Sequence, residues 1–295
     1  MIGASFMAEL LKLYKRPAVW MLAAIWLAFV VLFSYALPYA FFANLPQPET
    51  PEEAPAEMQE KMQAQNEAAS EQLMSGLYPE NLVAYALSGI SSTGGTLALI
   101  LGALFVGSEY GWGTLKTILS QRPSRLAAFF AKMLVLGVAL ALFVVLTFVV
   151  GAICSLVVAG VQGAAVDWPS LVELLGGLGA GAVILAVWAA LGVFLATLFR
   201  STALAIGLGL FYALALEGLI FRLPIPNESF QDARQFFLGQ NSGFLAESFS
   251  GSSLQQPLTP PGPDVGAAQA ALVLGVYLAV FVLVAALAFR QRDVA

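Results

Sequence analysis

The chain alternates between long apolar runs and shorter polar connections. A helix needs about 20 apolar residues to cross the hydrocarbon core of a bilayer, and six runs come near or exceed that length. They are approximately Ala18–Phe42, Leu82–Val106, Leu126–Ala159, Leu171–Phe199, Ala203–Phe221 and Ala267–Phe289. The pattern therefore predicts an all-α integral membrane protein with six transmembrane helices, organised as one domain over residues 1–295. The first run is longer than the apolar core of a signal peptide, which favours a retained span over a cleaved leader.

The segment at residues 1–17 is amphipathic and precedes the first run. Its apolar side chains fall on one face of a helix, and these are Phe6, Leu10, Leu13 and Tyr14. Glu9 and Lys12 belong to a charged face on the other side. We expect this helix to lie along the inner membrane surface, with Pro17 closing it. A basic flank that merely orients the first span is the simpler alternative, and both descriptions can hold together.

Two polar segments are expected on the outer side. Residues 44–80 are rich in acids, and the stretch ending at Gly76 predicts an acidic helix, while its first part, "PQPETPEEAP", equally suits a disordered spacer. Residues 224–265 form an external loop in which Phe230, Ala233 and Phe237 share one helical face. We expect a short helix there at the outer interface, followed by a Ser-, Gly- and Pro-rich loop from Gly243 onward.

Composition and charge agree with a membrane protein and give it an orientation. The chain is 59% hydrophobic and 11% charged, with a mean hydropathy of +0.83, whereas soluble domains are about 25% charged. Most of the 13 basic residues lie on the side that holds both termini. They are Lys12, Lys15, Arg16, Lys116, Arg122, Arg125, Lys132, Arg200, Arg290 and Arg292. The positive-inside rule then predicts a multi-pass protein of the cytoplasmic (plasma) membrane with both termini in the cytoplasm.

The residue inventory excludes several kinds of site. The chain has no histidine and a single cysteine, Cys154, so the usual catalytic triads and zinc sites cannot be assembled. No nucleotide-binding loop is present, because the glycine-rich stretches lack the required lysine. Gly177 and Gly181 have the spacing of small residues at which membrane helices pack closely. We expect no catalytic residue, no bound metal and no nucleic-acid partner.

Glu217 is the acid placed clearly inside an apolar run. An ionisable group within the membrane is costly and is a candidate functional residue. Glu217 stands near the outer end of its run, five residues before Arg222, so a structural ion pair or an interfacial position is at least as good an explanation. It is the residue that a proton-coupled carrier would use.

The connection at residues 108–125 carries more than a plain loop requires. It contains the stretch "GSEYGWGTLKTILSQRPSR", in which Thr114 can begin a short helix and Pro123 follows its end. Leu115, Ile118 and Leu119 share one face of that helix. An apolar ridge of this kind suits docking into a groove on a partner, although a helix resting on lipid would show the same pattern.

Residues 109–132 resemble the signature that follows the second span in ABC-2 type transporter permeases. The signature has a Glu-Tyr pair, a Gly-Thr-Leu-x-Thr-x-Leu run, a Pro-x-Arg and a lysine near the start of the third span. The matching positions are Glu109, Tyr110, Gly113, Thr114, Leu115, Thr117, Leu119, Pro123, Arg125 and Lys132. The six spans and the amphipathic start agree with this family, whereas the long acidic segment 44–80 departs from it and leaves the subfamily and substrate open.

The resemblance implies a permease subunit that works with a separate ATPase subunit. The residues expected to couple the two are Glu109, Gly113, Thr114, Leu115, Thr117, Ile118, Leu119 and Arg125. Leu10, Leu13 and Tyr14 would form a second contact with the ATPase. The partner would bind ATP and Mg²⁺, this chain would bind no cofactor directly, and a second permease, as a homodimer, would complete an exporter. Glu109 and Arg125 flank the short helix and could fix it by pairing.

Other classes of function stay open from the sequence. A secondary carrier or channel would work without an ATPase, and Glu217 would then be the residue of interest. An integral membrane enzyme would need a cluster of polar residues at one membrane face, which the spacing does not offer. A permease-like sensor that moves no substrate has the same sequence pattern as an exporter.

Overall fold

The computed structural model describes residues 2–44, 56–111, 125–220, 233–250 and 265–291. Within these ranges the regular structure is helical, without a strand. Six of the helical stretches are long and apolar enough to cross a membrane, which confirms the predicted fold class. Spans 1 to 6 run over Pro17–Ala43, Pro79–Ser108, Leu126–Gln162, Leu171–Phe199, Thr202–Leu219 and Ala267–Arg290. The chain is therefore a multi-pass membrane protein.

Three of the spans change from α-helical to π-helical winding along their length. The π-helical stretches are Val30–Ala36 in span 1, Ile90–Gly94 in span 2 and Phe211–Ile220 at the end of span 5. Hydrogen bonds in a π-helix run from residue i to i+5, so the ladder is locally shifted. In span 2 the Ser92 hydroxyl donates to the Ser88 carbonyl at 2.9 Å, which satisfies a polar group next to the shift.

Spans 2 and 4 form the centre of the bundle, and glycine allows their backbones to meet. A methyl group at Gly102 would overlap the Ala189 carbonyl, and one at Gly192 would overlap the Leu99 carbonyl. The two glycines therefore make a reciprocal contact in which each helix lies against the other's main chain. Close approach through small residues is the main way in which membrane helices gain packing energy, since lipid supplies little hydrophobic drive.

The predicted packing role of Gly177 and Gly181 is confirmed. A methyl group at Gly177 would lie 3.2 Å from Phe148 of span 3, and one at Gly181 would lie 3.1 Å from Ile90 of span 2. These two glycines thus allow the first half of span 4 to pack closely between spans 2 and 3.

The bundle has two chemically different ends, named here by their charge. The basic end holds the N-terminal helix, the start of span 3 and the junction between spans 4 and 5, where Arg200 has a left-handed φ of 52°. Ser201 caps span 5 by accepting from the Leu204 N–H at 3.3 Å. The acidic end holds the acidic helix Ala56–Ser75, which agrees with the helix predicted up to Gly76.

The N-terminal helix, Ile2–Lys15, packs differently from the prediction. Phe6, Leu10 and Leu13 lie against the protein core. Glu9 was expected on a charged face, yet it is buried against span 3. The first residues of span 3 offer both an apolar surface and a cation, so the helix buries one side against protein.

The segment between spans 5 and 6 differs from the prediction at Gly243. A helix runs over Leu238–Glu247 and includes Gly243, which was expected to begin a loop. Of the predicted helical face, Phe230 lies outside the described residues, Ala233 is helical, and Phe237 directly precedes the helix Leu238–Glu247. This helix, called here the half-helix, packs against spans 2, 4 and 6. Its buried side chains are Leu238, Asn241, Ser242, Leu245 and Ala246.

The half-helix lies between the middle of the bundle and its acidic end. Its first turn contacts Trp188, which lies just beyond the midpoint of span 4. Phe249, just after its last turn, lies 3.1 Å from a methyl group placed on Gly176, close to the acidic end of the same span. The half-helix therefore runs from the middle of the bundle outward.

Candidate functional site

The predicted coupling residues fall mostly outside the described ranges. Gly113, Thr114, Leu115, Thr117, Ile118 and Leu119 are not described. Glu109 lies in the last turn of the helix Gly95–Gly111, and Arg125 begins the helix Arg125–Gln162. The structure thus describes the two helices that carry this connection at the basic end, and the contact between Glu109 and Arg125 stays a prediction.

A buried ion pair joins the N-terminal helix to span 3 beside this connection. The Lys132 Nζ donates to the Glu9 carboxylate at 2.9 Å, and Lys12 donates to its other oxygen at 2.7 Å. Glu9 is 7% exposed and Lys132 is 4% exposed. A buried charge of either sign is costly without a partner, so these groups hold the N-terminal helix against span 3.

Phe105 extends this cluster to span 2. The Lys132 Nζ lies 5.4 Å from the centre of the Phe105 ring, and the Arg16 guanidinium carbon lies 5.7 Å from it. Both distances are within the range of cation–π attraction. The basic-end cluster, defined as Glu9, Lys12, Arg16, Phe105 and Lys132, therefore connects the N-terminal helix with the adjoining ends of spans 2 and 3.

The electrostatics of Glu9 reflect two opposed effects. Burial by itself raises the pKa of the carboxyl, while attraction to Lys132 and hydrogen bonds from Lys12 and Lys132 lower it. The cations together outweigh burial, so the pKa of Glu9 lies below its usual value of 4.5. Glu9 is consequently ionised at neutral pH, and its contact with Lys132 is an ion pair.

The three residues predicted as a second partner contact are not equivalent. Leu10 and Leu13 pack against the protein core. Tyr14 is 66% exposed, and its carbonyl accepts from the Trp20 Nε1 at 2.8 Å. Of the three, Tyr14 alone presents a largely exposed side chain, next to the exposed Leu11.

Glu217 is brought to the first turn of the half-helix. The Tyr212 hydroxyl donates to its carboxylate, which also lies against Gly239 in that turn. The first N–H groups of any helix have no partner within the helix, and they carry a partial positive charge. Glu217, at 7% exposure, thus caps the half-helix from span 5.

Two local features allow this geometry. Tyr212 and Glu217 are five residues apart in π-helical winding, which stacks such residues more closely than an α-helix does. Gly239 has no side chain, and a methyl group there would overlap the Glu217 carboxylate. The close approach of the carboxylate to the half-helix therefore depends on glycine at this position.

Further side chains fix the same turn from two other spans. The Trp188 Nε1 of span 4 donates to the Ser242 hydroxyl at 3.2 Å, and Ser242 donates to the Leu238 carbonyl at 2.9 Å. The Tyr277 hydroxyl of span 6 donates to the Phe236 carbonyl at 3.0 Å. Together with Glu217, these groups hold the deep end of the half-helix from spans 4, 5 and 6.

Sequence reasoning singled out Glu217 but missed its partners. The Glu9–Lys132 pair joins residues 123 positions apart, and neither residue signals the other. Lys132 did stand in the quoted signature, and Gly239 was one glycine among many. Within the described ranges, no group of three or more metal-ligating side chains converges.

The family model described as "Protein of unknown function (DUF2705)" matches residues 73–295. The chain belongs to this family. The matched DUF2705 region takes in spans 2 to 6, with Lys132, Glu217 and the half-helix, and begins after the N-terminal helix and span 1. No curated protein matches the chain.

Proposed function

We propose that the chain is the membrane-spanning permease subunit of an ATP-binding cassette exporter. A separate subunit would bind ATP and Mg²⁺ and hydrolyse the nucleotide, and a second permease, as a homodimer, would complete the pathway. The protein would lie in the cytoplasmic membrane, with the basic end and both termini in the cytoplasm, as the positive-inside rule favours. The proposal begins from the resemblance of residues 109–132 to the ABC-2 signature.

The basic-end cluster is the observation that carries the proposal. The signature lysine, Lys132, is buried in an ion pair with Glu9, and its ammonium group lies over Phe105 near the end of span 2. A protein that receives force on the connection 108–125 needs the ends of spans 2 and 3 to move together. The cluster supplies that link and adds the N-terminal helix to it.

The bundle offers a route by which such force would spread. Span 2 meets span 4 through the backbone contacts at Gly102 and Gly192, so the two spans are expected to move as one body. Nucleotide binding would then bias two arrangements of the spans, which is what coupling between distant sites requires. Tyr14 is the exposed residue of the N-terminal helix best placed for the second contact with the ATPase.

The carrier alternative rests on Glu217. Its carboxylate is occupied by the first turn of the half-helix and by Tyr212, which supports a positioning role for this acid over a transported proton. A permease-like sensor shares every feature that supports the exporter, and transport assays on the assembled complex distinguish the two.

Purification in mild detergent from the native membrane tests the proposal. We expect a soluble subunit with a nucleotide-binding loop to co-purify in equal amount, as identified by mass spectrometry. Changing both Leu115 and Leu119 to Asp places charge on the docking ridge and should remove that subunit. Leu73→Asp is the matched control, since Leu73 is an exposed leucine of the acidic helix at the opposite end, and it should leave co-purification unchanged.

Two results would contradict the proposal. One is the reproducible lack of an ATPase subunit after crosslinking with ATP present. The other is an equal loss of the subunit in the Leu73→Asp control, because the ridge would then have no special part in docking.

A further inference from the structure

We propose that Glu217 is a latch that couples span 5 to the half-helix, so that movement of span 5 releases the half-helix. Release driven by ATP rests on the proposed function, whereas the attachment of the half-helix by Glu217 does not.

The attachment of the half-helix depends on an acceptor at its deep end. A helix that begins inside a bundle leaves N–H groups that water cannot reach, and these need an acceptor. The Glu217 carboxyl group lies against Gly239 in this first turn, so its oxygens face the unpaired N–H groups and the partial positive charge of the helix N-terminus. Removing that carboxyl group takes the acceptor away from the deep end.

The two ends of the half-helix are held by different kinds of contact. Polar groups from spans 4, 5 and 6 meet its deep end, through Trp188, Glu217 and Tyr277. Apolar contacts dominate its outer part, where Leu245 is buried and Phe249 lies against Gly176. Apolar contacts tolerate sliding, while hydrogen bonds of fixed geometry do not. Release of the deep end is therefore what frees the half-helix.

The spans that hold the half-helix differ in how tightly they are packed into the bundle. Span 4 lies at the centre of the bundle and is locked to span 2 through glycine. Span 5 is the shortest span and shows a largely exposed face, including Leu204, Phe211 and Leu214. A shift of span 5 against the spans 2 and 4 pair would carry the Glu217 carboxylate away from Gly239, and the half-helix would lose its cap.

Thiol labelling of a buried reporter tests the latch without any transport assay. The full-length protein in lipid nanodiscs carries Cys154→Ala, which removes the single native cysteine, and Ala246→Cys on the half-helix. Ala246 is 3% exposed, so a soluble maleimide should label this reporter slowly. Adding Glu217→Gln should speed labelling by about tenfold or more, because the amide replaces one acceptor oxygen with a donor beside the unpaired N–H groups. Tyr212→Phe should give a smaller increase in the same direction.

Two controls separate release of the half-helix from general unfolding. Glu247→Gln makes the same chemical change at the exposed outer end of the same helix and should leave the labelling rate unchanged. Ser155→Cys reports on span 3, where Ser155 is also fully buried, and it should stay protected in Glu217→Gln. Equal labelling of the Ala246 reporter with and without Glu217→Gln would overturn the latch. Loss of protection at both reporters would overturn it too, because Glu217 would then hold the whole bundle.

A last arm separates the latch from the proposed function. In the complex with its ATPase, ATP should raise the labelling rate of the Ala246 reporter in a chain with Glu217 intact. A reporter that responds to Glu217→Gln but never to ATP would overturn ATP-driven release and count against the proposed coupling, with the attachment by Glu217 retained.

Discussion

Glu9 and Glu217 are equally shielded from solvent, but their partners differ in kind. Glu9 meets two lysine cations at the basic end. Among the described residues, Glu217 meets the first turn of the half-helix and the Tyr212 hydroxyl, while Arg222 lies outside the described residues. The lysine charges offset the Glu9 charge, whereas the described partners of Glu217 carry no formal charge. A buried ion pair resists separation strongly, while a carboxylate at a helix end can be released at smaller cost.

This difference matches the position of each acid along the chain. The basic-end cluster unites elements that are expected to move together, and a strong link serves that purpose. Glu217 lies where span 5 meets the half-helix, and a weaker link there permits separation. The same side chain therefore serves as a permanent clamp at one end and as a latch nearer the other.

The largest effect is expected from removing a cation at the basic end. Lys132→Met leaves Glu9 buried with only the half-exposed Lys12 beside it, and breaking a buried pair costs about 3 kcal/mol or more of unfolding free energy. SDS-induced unfolding in mixed micelles measures this loss. Lys12→Met should cost about 0.5 kcal/mol, because that lysine is partly exposed to solvent. Glu9→Gln combined with Lys132→Met should recover most of the stability. Equal losses in the two lysine variants would remove the distinction between a buried clamp and a surface pair.

A smaller effect is expected at Gly239. Gly239→Ala places a methyl group where the Glu217 carboxylate now lies, and such overpacking costs about 1–3 kcal/mol. Gly243→Ala is the matched control in the same half-helix, since a methyl group there meets no atom within 4 Å. It should stabilise the helix by about 0.5–1 kcal/mol, because alanine is the better helix former. Thermal unfolding of the two variants in detergent compares them, and a loss at Gly243 as large as that at Gly239 would contradict the crowding of Glu217.

The smallest effect is expected from a change of pH, and it concerns the ionisation of Glu9. The pKa of Glu9 is lower in the folded protein than its usual value of 4.5. Its ionisation therefore contributes stability above about pH 4.5 that is lost as the pH falls through the folded pKa. The stability difference between the unmodified protein and Glu9→Gln should be constant near neutral pH and shrink towards pH 3. A difference that grows on acidification would show that burial outweighs the lysines.

The helical spans were predictable because the bilayer imposes a simple rule on sequence. Span 4 was placed at Leu171–Phe199 and is found there, and the other spans differ by a few residues at their ends. Gly177 and Gly181 were also assigned correctly to helix packing. The π-helical stretches were not predicted, since their residue types do not differ from those of ordinary spans.

The partners of the two acids were not predictable for a different reason. Amphipathic patterning showed that the N-terminal helix has an apolar face, but not whether lipid or protein would cover it. Phe6 and Leu10 face the protein core, and Glu9 is buried with them because Lys132 lies opposite. In the segment before span 6, the loop expected from Gly243 onward is helical as far as Glu247, and this helix packs inside the bundle.

The sequence by itself determined that this is an all-α protein with six spans and a basic and an acidic end, because hydropathy, helix length and charge act locally along the chain. Only the tertiary structure decided that Glu9 pairs with Lys132 and that Glu217 caps a half-helix against Gly239. Those contacts join residues far apart in sequence, and they depend on how the helices pack and on where glycine leaves room.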